Sequence, residues 1–184
     1  MKNTNILFII SAIILGVLTR TVWHLAPNLE FVTALSIVSV IFLKNFKQQL
    51  LMLFSIMFIS DLIIGNTSIF LFTWSAFLFT ILLTHLLKKI HFSENKFFQG
   101  LLTSSLAGIL GTAIFFLWTN FGVVLLTDLY TKNLSGLMQS YLNALPFLRP
   151  QLSGNLFLVP LIYVVSYGLF KMEGKGIFSK LKRI

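Results

Sequence analysis

The chain has 184 residues, 57% of them hydrophobic and only 10% charged, too few charges to cover a water-soluble globule, which carries about a quarter. It therefore reads as an all-α integral membrane protein, a single transmembrane domain over residues 1–184. The net charge of +9 would suggest nucleic acid on a soluble protein, and the absence of cysteine excludes disulfides, thiolate metal sites and cysteine nucleophiles.

Six segments qualify as spans, a spanning helix needing roughly 20 mostly apolar residues. The first is 5–22; the stretch Met1–Arg20 is followed by Thr21, Val22 and Trp23 rather than by an A-x-A-like cleavage site, so it is expected to be a first transmembrane helix and not a signal peptide. The second, 29–44, has a short apolar stretch, Phe31–Leu43, and reaches span length only with its flanks. The third, 49–64, is apolar until Asp61, and the fourth is 69–88. The fifth, 97–118, has small residues through its middle and runs into Trp118-Thr119-Asn120-Phe121-Gly122, a helix stop in which Thr and Asn would bond the freed carbonyls. A long connection, Thr119–Leu152, follows. Within it Leu134, Leu137, Met138, Tyr141, Leu142 and Leu145 share one helical face and predict a short helix, Leu134–Leu145, lying over the bundle or dipping into it. The sixth span, 153–171, contains Pro160, which predicts a kink.

The basic residues orient these spans. With the N-terminus inside, Lys2, the Lys44/Lys47 and Lys88/Lys89/Lys96 connections and the tail from Lys171 to Arg183 place 11 of the 14 basic residues on the cytoplasmic face. Arg20, Lys132 and Arg149 fall outside, balanced by Glu30, Asp61 and Asp128. The expected topology is six transmembrane helices with both termini cytoplasmic, in a bacterial inner membrane. The whole excess charge lies inside, against anionic lipid, and is not a nucleic-acid signal.

Candidate ligand-contacting residues gather on the outer side. Arg20, Trp23, His24, Pro27 and Asn28 read equally as an interfacial anchor and as a pocket-lining loop. Asp61, a carboxylate in an apolar segment, must be paired; it either contacts a ligand or pairs structurally with Arg20 or Arg149. Trp23, Trp74 and Trp118 all fall near outer helix ends, as a one-sided belt or as an aromatic lid over a ligand. Asn120 stands where the fifth helix is expected to stop, and Tyr141, Pro146, Phe147, Arg149, Gly154 and Asn155 form a further cluster. Ala12/Gly16 and Ala107/Gly111 are small-residue pairs for close helix packing or for a partner subunit. No metal site, cofactor motif, nucleotide loop or catalytic constellation is present, so the expectation is a non-enzyme whose transport, if energised, needs a separate ATPase motor.

Four outer strings, in register, carry a resemblance: Arg20…His24-Leu-Ala-Pro27-Asn28-Leu-Glu30-Phe31-Val-Thr-Ala34, Ser60-Asp61-Leu-Ile-Ile-Gly65, Thr119-Asn120-Phe121-Gly122, and Tyr141…Leu145-Pro146-Phe147-Leu148-Arg149…Gly154-Asn155-Leu156-Phe157. Over nearly the whole chain they resemble a family of small bacterial membrane proteins similar to the substrate-binding S components of energy-coupling factor (ECF) transporters, near the cobalamin-uptake type. The resemblance implies a six-helix bundle binding a vitamin-like nutrient near its outer face, with a transmembrane coupling subunit and cytoplasmic ATPases as partners. It carries Arg20, His24, Asn28, Asp61, Asn120, Tyr141, Arg149 and Asn155 over as pocket or loop-shaping residues. The cobalamin type places a cysteine thiolate at cobalt; this chain has none, so cobalamin is one candidate among small organic nutrients, with His24 the substitute ligand. The alternative is a non-transporting membrane scaffold in envelope assembly, binding partners through its apolar faces and basic inner surface.

Overall fold

The computed structural model describes residues 3–23, 30–65 and 68–174. Among them are six helices and no strand: α1 (Asn3–Thr21), α2 (Val32–Phe42), α3 (Phe46–Ile64), α4 (Phe70–Leu87), α5 (Lys96–Leu126) and α6 (Leu134–Gly174). All but α2 are long and apolar enough to cross a membrane.

The bundle sorts its residues by size. Large apolar side chains such as Ile14, Leu51, Phe58, Leu71, Leu86 and Phe157 point outward, while Ser36, Ser39, Thr80, Thr84, Ser104 and Thr112 are buried. This suits a lipid surround, where small residues let helices approach and no hydrophobic force drives the large ones inward. Most buried hydroxyls need no tertiary partner, because they bond a carbonyl one turn back in their own helix: Thr80 to Ala76 at 3.0 Å, Thr84 to Thr80 at 2.7 Å, Thr112 to Gly108 at 2.7 Å.

Contacts between helix ends show that successive helices reverse direction. Arg20, in the last turn of α1, reaches Asp61, in the last turn of α3, so these two helices run parallel and α2 returns between them. Gln49 near the start of α3 meets His85 near the end of α4, and Tyr163 in the second half of α6 bonds the Phe97 carbonyl at the start of α5. Phe8, Phe42 and Phe170 pack together, gathering the start of α1 and the ends of α2 and α6 at one end of the bundle. That end carries Lys44, Lys47, Lys88, Lys89, Lys96 and Lys171, and the opposite end carries Arg20, Asp61, Asp128, Lys132 and Arg149.

The second segment departs most from expectation. Instead of a helix over 29–44, α2 has 11 residues, about 17 Å of helix. It carries no charge, its polar residues are Thr33, Ser36 and Ser39, and Val32 through Val40 are buried on every side. Its last carbonyls are satisfied from other helices: Lys88 Nζ donates to the Val40 carbonyl at 2.8 Å, and Gln49 Nε2 donates to the Leu43 carbonyl at 2.7 Å. A cation on a helix C-terminus is doubly favourable, as donor and as counter-charge to the helix dipole.

The predicted long outer connection is largely helix. α5 continues to Leu126 and α6 begins at Leu134, leaving Thr127–Asn133 between them. The expected stop at Trp118–Gly122 does not occur. Thr119 and Asn120 bond the Phe115 and Phe116 carbonyls within an unbroken helix, at 2.8 Å each, and Gly122 admits the Phe72 ring of α4 rather than ending the helix. The separate helix Leu134–Leu145 is instead the first part of α6, whose 41 residues include Pro146, Pro150 and Pro160. Its long packing seam with α5, the most extensive helix contact in the bundle, holds the proline-containing stretch helical.

Both small-residue pairs serve packing inside the bundle. Gly16 faces Ile56 of α3, and Gly111 faces Thr80 of α4. Gly65 ends α3 at φ +82°, a conformation that residues with a Cβ rarely adopt. A Cβ on Gly111 would lie 2.8 Å from Thr80 Cγ2, whose rotamer is held by the hydroxyl bond to Ala76. Gly111→Ala is therefore expected to destabilise the folded protein by roughly 1–3 kcal/mol, the usual cost of overpacking. Thermal unfolding in detergent checks it; an unchanged midpoint would mean that α4 and α5 are free to separate.

Candidate ligand-binding site

The most polar point of the interior is built on Arg20. Its Nη2 donates to Asp61 Oδ1 at 2.8 Å, and Nη1 donates to Met57 Sδ at 3.1 Å. The same Nη1 lies 3.5 Å from Glu30 Oε2. Trp74 Nε1 donates to the other Asp61 oxygen, Oδ2, at 2.7 Å, so both carboxylate oxygens are engaged. The Arg20 and Asp61 side chains are each 8% exposed. A carboxylate in the last turn of a helix opposes the helix dipole; Asp61 is held there by the guanidinium and the indole. Of the two pairings the sequence left open, the structure makes Arg20–Asp61. Arg149 is exposed and has no ion pair among the described residues.

Glu30 stands two residues before α2, at the favourable end of that helix's dipole. Burial pushes its carboxyl above the usual carboxylate range; Arg20 pulls it down and Asp61 pushes it up, and the net direction is upward.

Beside Arg20 and Glu30 a cavity of about 300 Å³ opens. α4 contributes Ile69 and Thr73 to its wall, and α6 contributes Ala144, Phe147 and Gln151. One face of α5 contributes Phe115, Phe116, Thr119, Asn120 and Val123. Gln151 is 3% exposed and lines the cavity. Arg20 Nε is buried without a hydrogen-bond partner among the described residues, a costly state for a polar group. A second hollow, about 440 Å³ between α1 and α6, is lined by residues such as Leu7, Phe8, Leu15, Leu161 and Val165 and lacks charged groups to orient a ligand.

The sequence-predicted residues divide by place. Arg20 and Asn120 line the cavity, and Asp61 and Trp74 hold Arg20 from behind. Trp118 bonds Ser75 Oγ at 2.8 Å and packs among Phe72, Phe79 and Phe121. Tyr141 stacks near Phe116 and donates to the Leu117 carbonyl at 3.2 Å. Asn155 donates to Thr112 Oγ1 at 2.9 Å and ties α6 to α5. Trp23 is 51% exposed, so the three tryptophans do not form one lid. His24 and Asn28 lie outside the described residues. Sequence reasoning passed over Glu30, Thr73 and Gln151 as site residues. Gln151 had a legible signal, an uncharged polar side chain four residues before Asn155 on the same helical face.

Residues 1–174 match the model of one protein family, described as a family of unknown function (DUF6580). No curated protein and no solved structure matches the chain.

Arg20→Met should leave the Asp61 carboxylate buried without a counter-charge and destabilise the protein by roughly 3–5 kcal/mol. The double variant Arg20→Met/Asp61→Leu should recover most of that loss. Unfolding midpoints of the two single variants and the double variant, compared as a cycle, test this; simple additivity would mean the pair is not coupled.

Proposed function

The chain belongs to the DUF6580 family, and from its cavity we propose that it is a substrate-capture subunit for uptake of a small organic, vitamin-like nutrient. The observation that carries this reading is the cavity itself: polar and aromatic side chains from α4, α5 and α6 converge with Arg20 and Glu30 on one volume. Pockets of about 300 Å³ and larger, mostly apolar with a few placed polar groups, suit small ligands.

The proposed setting is a bacterial cytoplasmic membrane, with the lysine-rich end inside and the cavity toward the outside. The full six-crossing topology, similar to an S component of an ECF transporter, belongs to this proposal. The α2 helix covers about 17 Å, and the extended stretch from Leu43 to Asn45 adds roughly 10 Å, near the thickness of a hydrocarbon core. Energised uptake would then use a separate coupling subunit and ATPases. The cavity volume favours a compact nutrient over cobalamin, whose corrin ring and nucleotide loop exceed it.

Ligands that co-purify with the full-length protein, identified by mass spectrometry and confirmed by binding assays, test the proposal. The expected result is one compact nutrient bound at one site, with Gln151→Leu lowering affinity about tenfold, the effect of one lost hydrogen bond to a ligand. Failure of every vitamin-class compound to bind, with pull-downs recovering envelope-assembly proteins and no ATPase-linked subunit, would favour a scaffold instead.

A further inference from the structure

The charge balance around the cavity narrows the ligand. Two carboxylates, Asp61 and Glu30, share one guanidinium, and the sharing is unequal. Asp61 takes a 2.8 Å hydrogen bond from Arg20 and a second from Trp74, while among the described residues Glu30 has only the 3.5 Å approach of Nη1. The terminal nitrogens of Arg20 are engaged with Asp61 and Met57, and its Nε, which has no partner among the described residues, is buried, so Arg20 has little to offer an incoming anion. Glu30 is 20% exposed and lines the cavity.

The uncharged polar groups of the wall lean the same way. The hydroxyl protons of Thr73 and Thr119 are directed to the Ile69 and Phe115 carbonyls, at 3.4 and 2.8 Å, which leaves oxygen lone pairs for a ligand. The Asn120 NH2 gives one hydrogen to the Phe116 carbonyl at 2.8 Å, which leaves its side-chain oxygen and a second N–H. The wall therefore offers acceptors and one carboxylate without a full counter-charge, next to the rings of Phe115, Phe116 and Phe147. Such a wall complements a hydrogen-bond-donating cation attached to an apolar or aromatic body.

We propose that the cavity selects compact organic ammonium compounds, with the protonated nitrogen at Glu30 and the apolar part against the α5 and α6 phenylalanines. The selection rests on the capture reading above and adds the sign of the ligand's charge. An arriving cation also restores to Glu30 the counter-charge that Arg20 shares with Asp61, so ligand and carboxylate stabilise each other.

Protons compete for the same position. Among the described residues, the titratable and charged groups around Glu30 are Arg20 of α1 and Asp61 of α3; the parts of α4, α5 and α6 that line the cavity carry none. The Glu30 carboxyl titrates above its ordinary range. Ammonium affinity should therefore be weak below the pH at which Glu30 ionises and rise as pH increases through it.

Three probes that share a ring and chain length but differ in charge make the test: 2-phenylethylamine, 2-phenylethanol and phenylacetate, titrated calorimetrically into the full-length protein in detergent. The amine is expected to bind roughly ten- to hundredfold more tightly than the alcohol, the range supplied by a hydrogen bond to a charged group, with the anion weakest. Glu30→Gln should abolish that margin and its pH dependence. Thr119→Val, close to isosteric, should weaken the amine independently. Preference for phenylacetate, or equal binding of all three, would overturn the charge assignment and leave the capture reading standing. Absence of binding by all three would overturn the ammonium assignment, and the capture reading would then be decided by the co-purifying ligand.

Discussion

The ion pair between Arg20 and Asp61 is the constraint on which the rest of the molecule depends. Two charges drawn out of water are expensive, and their attraction repays that cost only where geometry is close and the remaining polar atoms are bonded. Here the separation is 2.8 Å and the Trp74 indole completes the carboxylate. The pair joins the ends of α1 and α3, so those helices must run parallel and the chain must return between them. That return is α2, short, uncharged and buried. The same guanidinium forms one edge of the cavity, so helix arrangement and site electrostatics rest on one side chain.

The two ends of the bundle are chemically unlike. At one, Lys88 and Gln49 satisfy the last carbonyls of α2, and lysines from the ends or flanks of α2 to α6 surround it. At the other, acids and bases balance, and the long α5–α6 seam brings Asn120 and Gln151 to one cavity. Between the ends, hydroxyls bonded within their own helices let α4 and α5 pack as closely as Gly111 against Thr80 without leaving unbonded groups. Rigid packing in the middle and a polar hollow at one end suit the ligand capture proposed above.

Much of this was legible in the sequence. Helices α1, α3 and α4 lie close to their apolar segments because each is bounded by polar or charged residues. Asp61 announced itself as a charge in an apolar run, and Arg20 as one of its two partners. The departures have physical causes. The α2 segment was overextended because an apolar stretch does not reveal whether lipid or protein surrounds it. Thr119, Asn120 and Gly122 resembled a helix stop because the groups that bond freed carbonyls at an end also bond carbonyls one turn back within a helix. The expected connection Thr119–Leu152 is largely helix, because packing against α5 outweighs the intrinsic cost of Pro146 and Pro150. Glu30 and Gln151 were passed over because their importance comes from what faces them across the bundle, which spacing along the chain does not encode.

Because the chain has no cysteine, a single introduced thiol reports its own position cleanly. Intact cells carrying Asn120→Cys or, separately, Ser93→Cys, treated with a membrane-impermeant maleimide, test whether the cavity formed around Arg20 opens to the outside. Asn120→Cys should label in intact cells and Ser93→Cys only after permeabilisation. Labelling of Ser93→Cys from outside, or of Asn120→Cys only after permeabilisation, would contradict the placement of the cavity on the outer face.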